Sequence, residues 1–217
     1  MYLILLGAPG TGKGTQAKIL AERKGWLHIS TGDMLREQVQ NGTEFGREAK
    51  GFMARGELVP DVLIIAMLKE RIRNPDASRG FVLDGFPRNL AQAKSLDDAL
   101  FSIGKSIDLA LNIKVPDEDL VKRLGGRWIC RNCGAIYQET THPPKVAGTC
   151  DRCGGELYQR PDDRAETVLS RLEKQKPGEN LLNHYRAKGK LVNIDGTQTV
   201  EEVTRALLDA VKSGVPA

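Results

Sequence analysis

The sequence predicts an α/β fold, a parallel sheet of five strands flanked by helices, with one smaller lobe inserted into it. Three observations carry this. Short apolar runs alternate with helical stretches along most of the chain, the pattern of parallel strands joined by right-handed crossovers. The first run passes through a glycine-rich loop straight into a helix. One stretch, from about Arg127 to Asp163, breaks the alternation and holds all four cysteines.

Taken in order, Tyr2 to Leu6 is apolar throughout and reads as a strand buried on both faces. Lys13 to Lys24 is helix-compatible, with Ala17, Leu20 and Ala21 on one face. Trp26 to Ile29 follows as a second strand, and Ser30-Thr31-Gly32-Asp33 supplies capping residues for a helix to about Gln40. Between Thr43 and Ala54, the breaks at Asn41-Gly42 and Gly46 predict short polar helical pieces. Asp61 to Arg73 is an amphipathic helix entered through Pro60. Phe81 to Asp84 is a third strand and Ile107 to Val115 a fourth, followed by a helix from Asp117 to Leu124. Pro177-Gly178 predicts a helix break, Lys190 to Ile194 the fifth strand, and Thr199 to Lys212 the closing helix.

Composition narrows the class. With 40% hydrophobic and 28% charged residues, the chain has the profile of a folded globular protein, not a disordered one. Its net charge of +4 comes from basic residues interleaved with acids, which argues against a dedicated nucleic-acid stripe. Gly7 and Pro9 cut the apolar start short of a signal or membrane segment, so the cytoplasm is the expected compartment.

Gly7-Ala8-Pro9-Gly10-Thr11-Gly12-Lys13 matches G-x-x-x-x-G-K between a strand and a helix, the context a phosphate-binding P-loop requires. Glycines let backbone N–H groups converge on phosphate oxygens, the helix N-terminus adds its dipole, and Lys13 adds a mobile charge. The usual magnesium-binding hydroxyl after the lysine is Gly14 here, with Thr15 one place later. This predicts magnesium held through water and substrate oxygens with Asp84 nearby, and argues against a switch-type GTPase. Asp84 ends a buried strand at the edge where ligands of open α/β sheets bind. Asp33 reads as a helix-entry acid in preference to a contact of the magnesium's water shell, and Phe86-Pro87 is a candidate cis peptide.

Gly7 to Thr15 resembles the phosphate loop of adenylate kinases and related nucleoside monophosphate kinases. Three further stretches agree in order and spacing: Ser30 to Arg36, Asp84-Gly85-Phe86-Pro87-Arg88, and Arg160-Pro161-Asp162-Asp163 leading to Arg171. The resemblance covers essentially the whole chain. It implies reversible phosphoryl transfer from Mg-ATP to AMP giving two ADP, by a monomeric enzyme with no nucleic-acid or membrane partner. It implies a core P-loop domain at 1–29, 60–126 and 164–217, an AMP-binding lobe at 30–59 and a lid at 127–163. Carried over by position, Thr31, Arg36, Glu57, Leu58, Val59, Gly85, Phe86, Pro87, Arg88, Gln92, Arg160 and Arg171 would hold AMP. Gly10, Thr11, Gly12, Lys13, Gly14, Thr15, Arg127, Ile136, Tyr137 and Gln198 would hold ATP. Lys13, Asp84, Arg88, Arg123, Arg127, Arg160 and Arg171 would serve the transfer itself.

The chemistry explains the arginines. The acceptor is already a phosphate oxygen, so the enzyme must align two anions, screen their repulsion and stabilise the transferring group. Arginine pairs two oxygens at once and stays charged. By contrast, Arg47, Arg55 and Arg73 read as ordinary surface residues. Gln92 favours adenine, because a side-chain amide both donates and accepts.

Cys130-x-x-Cys133 and Cys150-x-x-Cys153, sixteen residues apart, fit a four-thiolate zinc ribbon. Four protein ligands leave no open position, so a structural zinc is expected; two disulfides are the alternative. His142 is superfluous to that site and reads as a surface residue. Competing functions are a kinase for UMP or CMP, a P-loop switch, and a zinc-ribbon nucleic-acid binder, which would leave the phosphate loop unexplained.

Overall fold

Strand β1 (Tyr2–Leu6) lies at the centre of a five-stranded parallel sheet in the computed structural model, which describes residues 1–214. Residues 215–217, the end of the predicted core, lie outside it. β2 (Leu27–Ser30) is one edge, beside β3 (Phe81–Asp84), which pairs with β1. On the other side β1 pairs with β4 (Leu109–Lys114), and the edge beyond is the strand Leu191–Asp195. Register aligns Ser30, Asp84 and Leu5, so the functional loops leave one carboxyl edge of the sheet.

Nine α-helices are present among the described residues. They are α1 (Lys13–Lys24), α2 (Thr31–Gln40), α3 (Glu44–Ala54), α4 (Asp61–Arg73), α5 (Leu90–Phe101), α6 (Asp117–Gly125), α7 (Ala165–Gln175), α8 (Glu179–Ala187) and α9 (Val200–Ser213). Alternation along β1 builds two cores. Leu3 and Leu5 pack with Ala17 and Leu20 of α1 and with Val203, Leu207 and Val211 of α9. Ile4 and Leu6 face the opposite side, among Ile64 and Leu68 of α4, Leu96 and Leu100 of α5, and Leu181 and Tyr185 of α8. Each such fully buried Leu or Ile contributes about 1.5–3 kcal/mol. Thr199 closes a capping box with Glu202 at the start of α9.

One expectation about helices needs correction, and one helix went unread in the sequence. The stretch after Thr43 is one eleven-residue helix, α3, capped by the Thr43 side chain. Gly46 is no breaker: a Cβ there would stand 2.0 Å from the Gln38 carbonyl oxygen, so glycine is what lets α2 and α3 cross closely. Helix α5 carries no strong composition signal, yet Asn89 Oδ1 caps it by accepting from the Gln92 backbone N–H, and Ala93, Leu96 and Leu100 form its buried stripe. The break at Pro177-Gly178 falls as expected between α7 and α8.

The cysteine-bearing stretch forms its own antiparallel sheet, β5 (Arg127–Cys130), β6 (Ile136–Gln138) and β7 (Leu157–Tyr158), with β5 in the middle. We number the last strand of the main sheet, Leu191–Asp195, β8. No helix among the described residues is long and apolar enough to cross a membrane.

Candidate active site and metal centre

The loop after β1 is shaped by sterics. Gly7 has φ +141°, and a Cβ there would meet the Ile113 carbonyl oxygen at 2.6 Å, so no other residue fits. Thr11 is buried and donates its hydroxyl to the Ala8 carbonyl (3.0 Å). It therefore braces the loop instead of lining the cleft. Gly12 precedes α1 without a side-chain cap, leaving the first helical N–H groups for an anion. Lys13 Nζ donates to the Ala8 carbonyl (2.7 Å). Burial, together with nearby Arg88, Arg171 and Arg127, outweighs the attraction of Asp84 and lowers the Lys13 pKa to about 7. A Cβ on Gly14 would lie 3.3 Å from Asp84 Oδ2, so its absence lets that carboxylate approach the loop.

A cleft of about 820 Å³ opens over this loop. Its walls include Gly10, Lys13, Thr15 and Asp84 from the core, Arg127, Ile136 and Tyr137 from the cysteine-bearing segment, and Gln198. Arg123 also reaches it, with one guanidinium nitrogen donating to the Gly196 carbonyl (3.0 Å). The Tyr137 ring is buried, and its hydroxyl lies 3.4 Å from Cys150 Sγ. His142 is exposed as expected, yet its ring stacks on Tyr137 with centroids 5.5 Å apart and it lines the cleft.

The arginines form one wired cluster. Asp163, fully buried, accepts from Arg127 Nε (2.8 Å) and Nη2 (2.5 Å) and from Arg171 Nη1 (2.5 Å). Arg171 also pairs with Asp162 (3.0 Å). Arg160 lies 3.7 Å from Asp33, which is held tightly by Arg36 (2.5 Å). Asp33 does sit in the first turn of α2, its N–H capped by Ser30. Desolvation, with Arg171 next, lowers the Arg88 pKa to about 10; desolvation and Arg36 do the same for Arg160. Both stay charged at neutral pH. Crowded like charges beside a cleft attract anions.

Beside the cleft lies a smaller pocket of about 60 Å³. Its walls include Thr31, Arg36, Glu57, Leu58, Val59, Gly85, Phe86, Arg88, Gln92 and Arg171. Pro87 is not on this wall, though the Phe86–Pro87 bond is cis, and Arg160 faces the larger cleft. Gln92 is more committed than its sequence context suggested. Its Oε1 accepts from the Arg88 N–H (2.7 Å) and its Nε2 donates to Asp61 (2.6 Å), so a base edge must compete with Asp61. Sequence reasoning missed Asp61 and Gln175, and read Asp162 and Asp163 only as members of a motif.

Cys130, Cys133, Cys150 and Cys153 bring their four sulfurs within 4.8 Å of one another. Thiolates around a tetrahedral zinc at about 2.3 Å would be spaced in this range, so the donor set fits that ion. Turns aid the gathering, since the Gly134 and Gly154 N–H groups donate back to the Cys130 and Cys150 carbonyls.

A lysine in a glycine loop, facing a fan of buried arginines across two adjoining cavities, is the arrangement of a P-loop kinase, built to hold two phosphate chains end to end. Comparisons sharpen the class. A family model described as adenylate kinase matches residues 5–190. The adenylate kinase of Archaeoglobus fulgidus is 52% identical over 217 residues, covering 98% of this chain and 100% of that protein. That of Caldicellulosiruptor bescii is 51% identical over 212 residues, 97% and 99% of the two chains. That of Bacillus pumilus is 50% identical over 210 residues, 96% and 97%. The chain belongs to the adenylate kinase family.

Proposed function

We propose that the chain transfers the terminal phosphoryl group of Mg-ATP to AMP, reversibly, giving two ADP. The observation that carries this reading is that Arg88 and Arg171 line both cavities, the large cleft and the small pocket. A phosphoryl group passing between a donor in one and an acceptor in the other would cross their guanidinium groups. Lys13 and the loop N–H groups would grip the donor's phosphates, with Arg123, Arg127 and Arg160 around them. Thr31, Arg36, Glu57 to Val59, Gly85 to Arg88 and Gln92 would hold the acceptor. Asp84 would anchor the water shell of the magnesium that arrives with ATP. Catalysis is then alignment and charge screening, with no strong base required.

Cys130, Cys133, Cys150 and Cys153 would hold zinc, a closed structural centre that stiffens a sheet too small to own a large core. In the same reading, residues 30–59 and 127–163 act as acceptor lobe and lid around the core, in a cytoplasmic monomer. A P-loop switch would have no use for Arg88, Arg160 and Arg171 in one cluster. The test is a coupled assay of the purified protein with Mg-ATP against AMP, UMP, CMP and GMP in turn. Rapid ADP formation with AMP alone is the expected result. Preference for a pyrimidine monophosphate would overturn the reading of Gln92, and no transfer to any would overturn the kinase reading itself.

A further inference from the structure

The end of α7 carries the run Lys174-Gln175-Lys176-Pro177-Gly178, which no motif accounts for. Pro177 forces Lys176 out of helical geometry, and Lys176 has ψ 135°, so the helix stops at Gln175. Three consecutive side chains at that stop reach out to other parts of the molecule. Lys174 Nζ donates to Glu57 (3.0 Å), and Lys176 Nζ donates to Asp117 at the start of α6 (2.8 Å). Gln175, between them, is half-buried and uses both ends of its amide. Its Oε1 accepts from Arg88 Nη1 (2.5 Å) and from Arg171 Nε (3.4 Å). Its Nε2 donates to the Gly56 carbonyl (2.7 Å).

The three partners have little else in common. Arg88 follows β3, Arg171 belongs to α7, and Gly56 is the left-handed turn (φ +69°) that ends α3. Gly56 also packs directly on α7, where a Cβ would lie 3.1 Å from Arg171 Cβ. A neutral carbonyl can accept from two cations without adding a charge of its own, so it sets their spacing and leaves their field for a phosphate. The amide nitrogen fixes that pair against the turn leading into Glu57, Leu58 and Val59, which line the small pocket.

We propose that Gln175 is a positioning residue for the acceptor nucleotide: it holds Arg88 and Arg171 side by side and registers the Gly56 turn against them. This rests on reading the small pocket as the acceptor site. It assigns a role to a residue that lies on the wall of both cavities but outside the motifs.

The test is Gln175→Met, which keeps length and removes both hydrogen-bonding ends. Gln175→Asn is its partner, too short to reach Arg88 and Gly56 together. Lys176→Ala, on the same helix end but outside the pocket, is the control. AMP binding is measured by titration calorimetry without ATP, alongside KM for each substrate, kcat and melting temperature. We expect both Gln175 variants to weaken AMP about tenfold, the size of one lost hydrogen bond to a charged group. ATP KM stays within twofold and Lys176→Ala matches wild type. AMP affinity within twofold of wild type in both Gln175 variants overturns the proposal. So does an equal loss for AMP and ATP accompanied by a lowered melting temperature, which would mark a merely structural residue. Wild-type turnover with AMP decides the kinase reading separately, so the two failures are distinguishable.

Discussion

Replacing Asp163 by Asn removes one negative charge from the most enclosed point of the site. The carboxylate is fully buried and bridges Arg127 and Arg171, whose side chains are only 18% and 9% exposed. An Asn keeps the shape and one acceptor oxygen, but leaves Arg127 without its carboxylate partner and Arg171 with Asp162 alone. Removing one partner of a buried ion pair costs about 3–5 kcal/mol, and the retained acceptor puts Asn near the lower end. For a chain of this size each kcal/mol is worth about 2–4 °C, so about 3 kcal/mol lowers the melting temperature by roughly 6–12 °C. Differential scanning calorimetry of nucleotide-free, metal-matched wild type and Asp163→Asn measures this. The loss should persist at high salt, because the pair is shielded from solvent ions. A shift within about 2 °C, less than 1 kcal/mol, would refute the idea that Asp163 neutralises the cluster.

Gly46→Ala forces apart the crossing of α2 and α3, at a cost of about 1–3 kcal/mol. We expect a higher KM for AMP with ATP unaffected, and faster amide exchange confined to those helices. Lys13 has a pKa of about 7 in the free protein, and bound phosphate would raise it, so the complex carries more protons above pH 7. ATP binding at pH 8 should therefore take up close to one proton, and affinity should fall as pH rises above 7. Calorimetry in two buffers of different ionisation heat reads the uptake, which should vanish in Lys13→Arg. Cys133→Ser should abolish stoichiometric zinc by elemental analysis and lower the melting temperature, whereas a second zinc-free but equally stable protein would speak against a structural metal.

Legibility in the sequence followed locality. Strands such as β1 and β3 were readable because burial on both faces leaves unbroken apolar runs, and the loop before α1 because its glycines are required by backbone geometry. Helix α3 was misread because Gly46 is a contact residue, and a helix crossing is not visible within one segment. The arginines could be found through their motifs, but their wiring could not. Asp163 meets Arg127 across 36 residues, and Gln175 meets Gly56 across 119. The Asp61 bond to Gln92 spans 31 residues and changes what that amide is free to do. Such long-range polar pairs leave no periodicity, so only the folded chain reveals them.

The Arg127–Asp163 pair also ties together two residues that flank all four cysteines. With both ends pinned to one spot, the chain between them is a closed loop, fastened further where the Gln138 and Gln159 side chains donate to the Arg123 and Gly125 carbonyls. Lengthening a loop closed in this way is cheap, about 0.6 kcal/mol per doubling. The segment can therefore change length at little entropic cost while the guanidinium groups of Arg127 and Arg171 keep their place against Asp163.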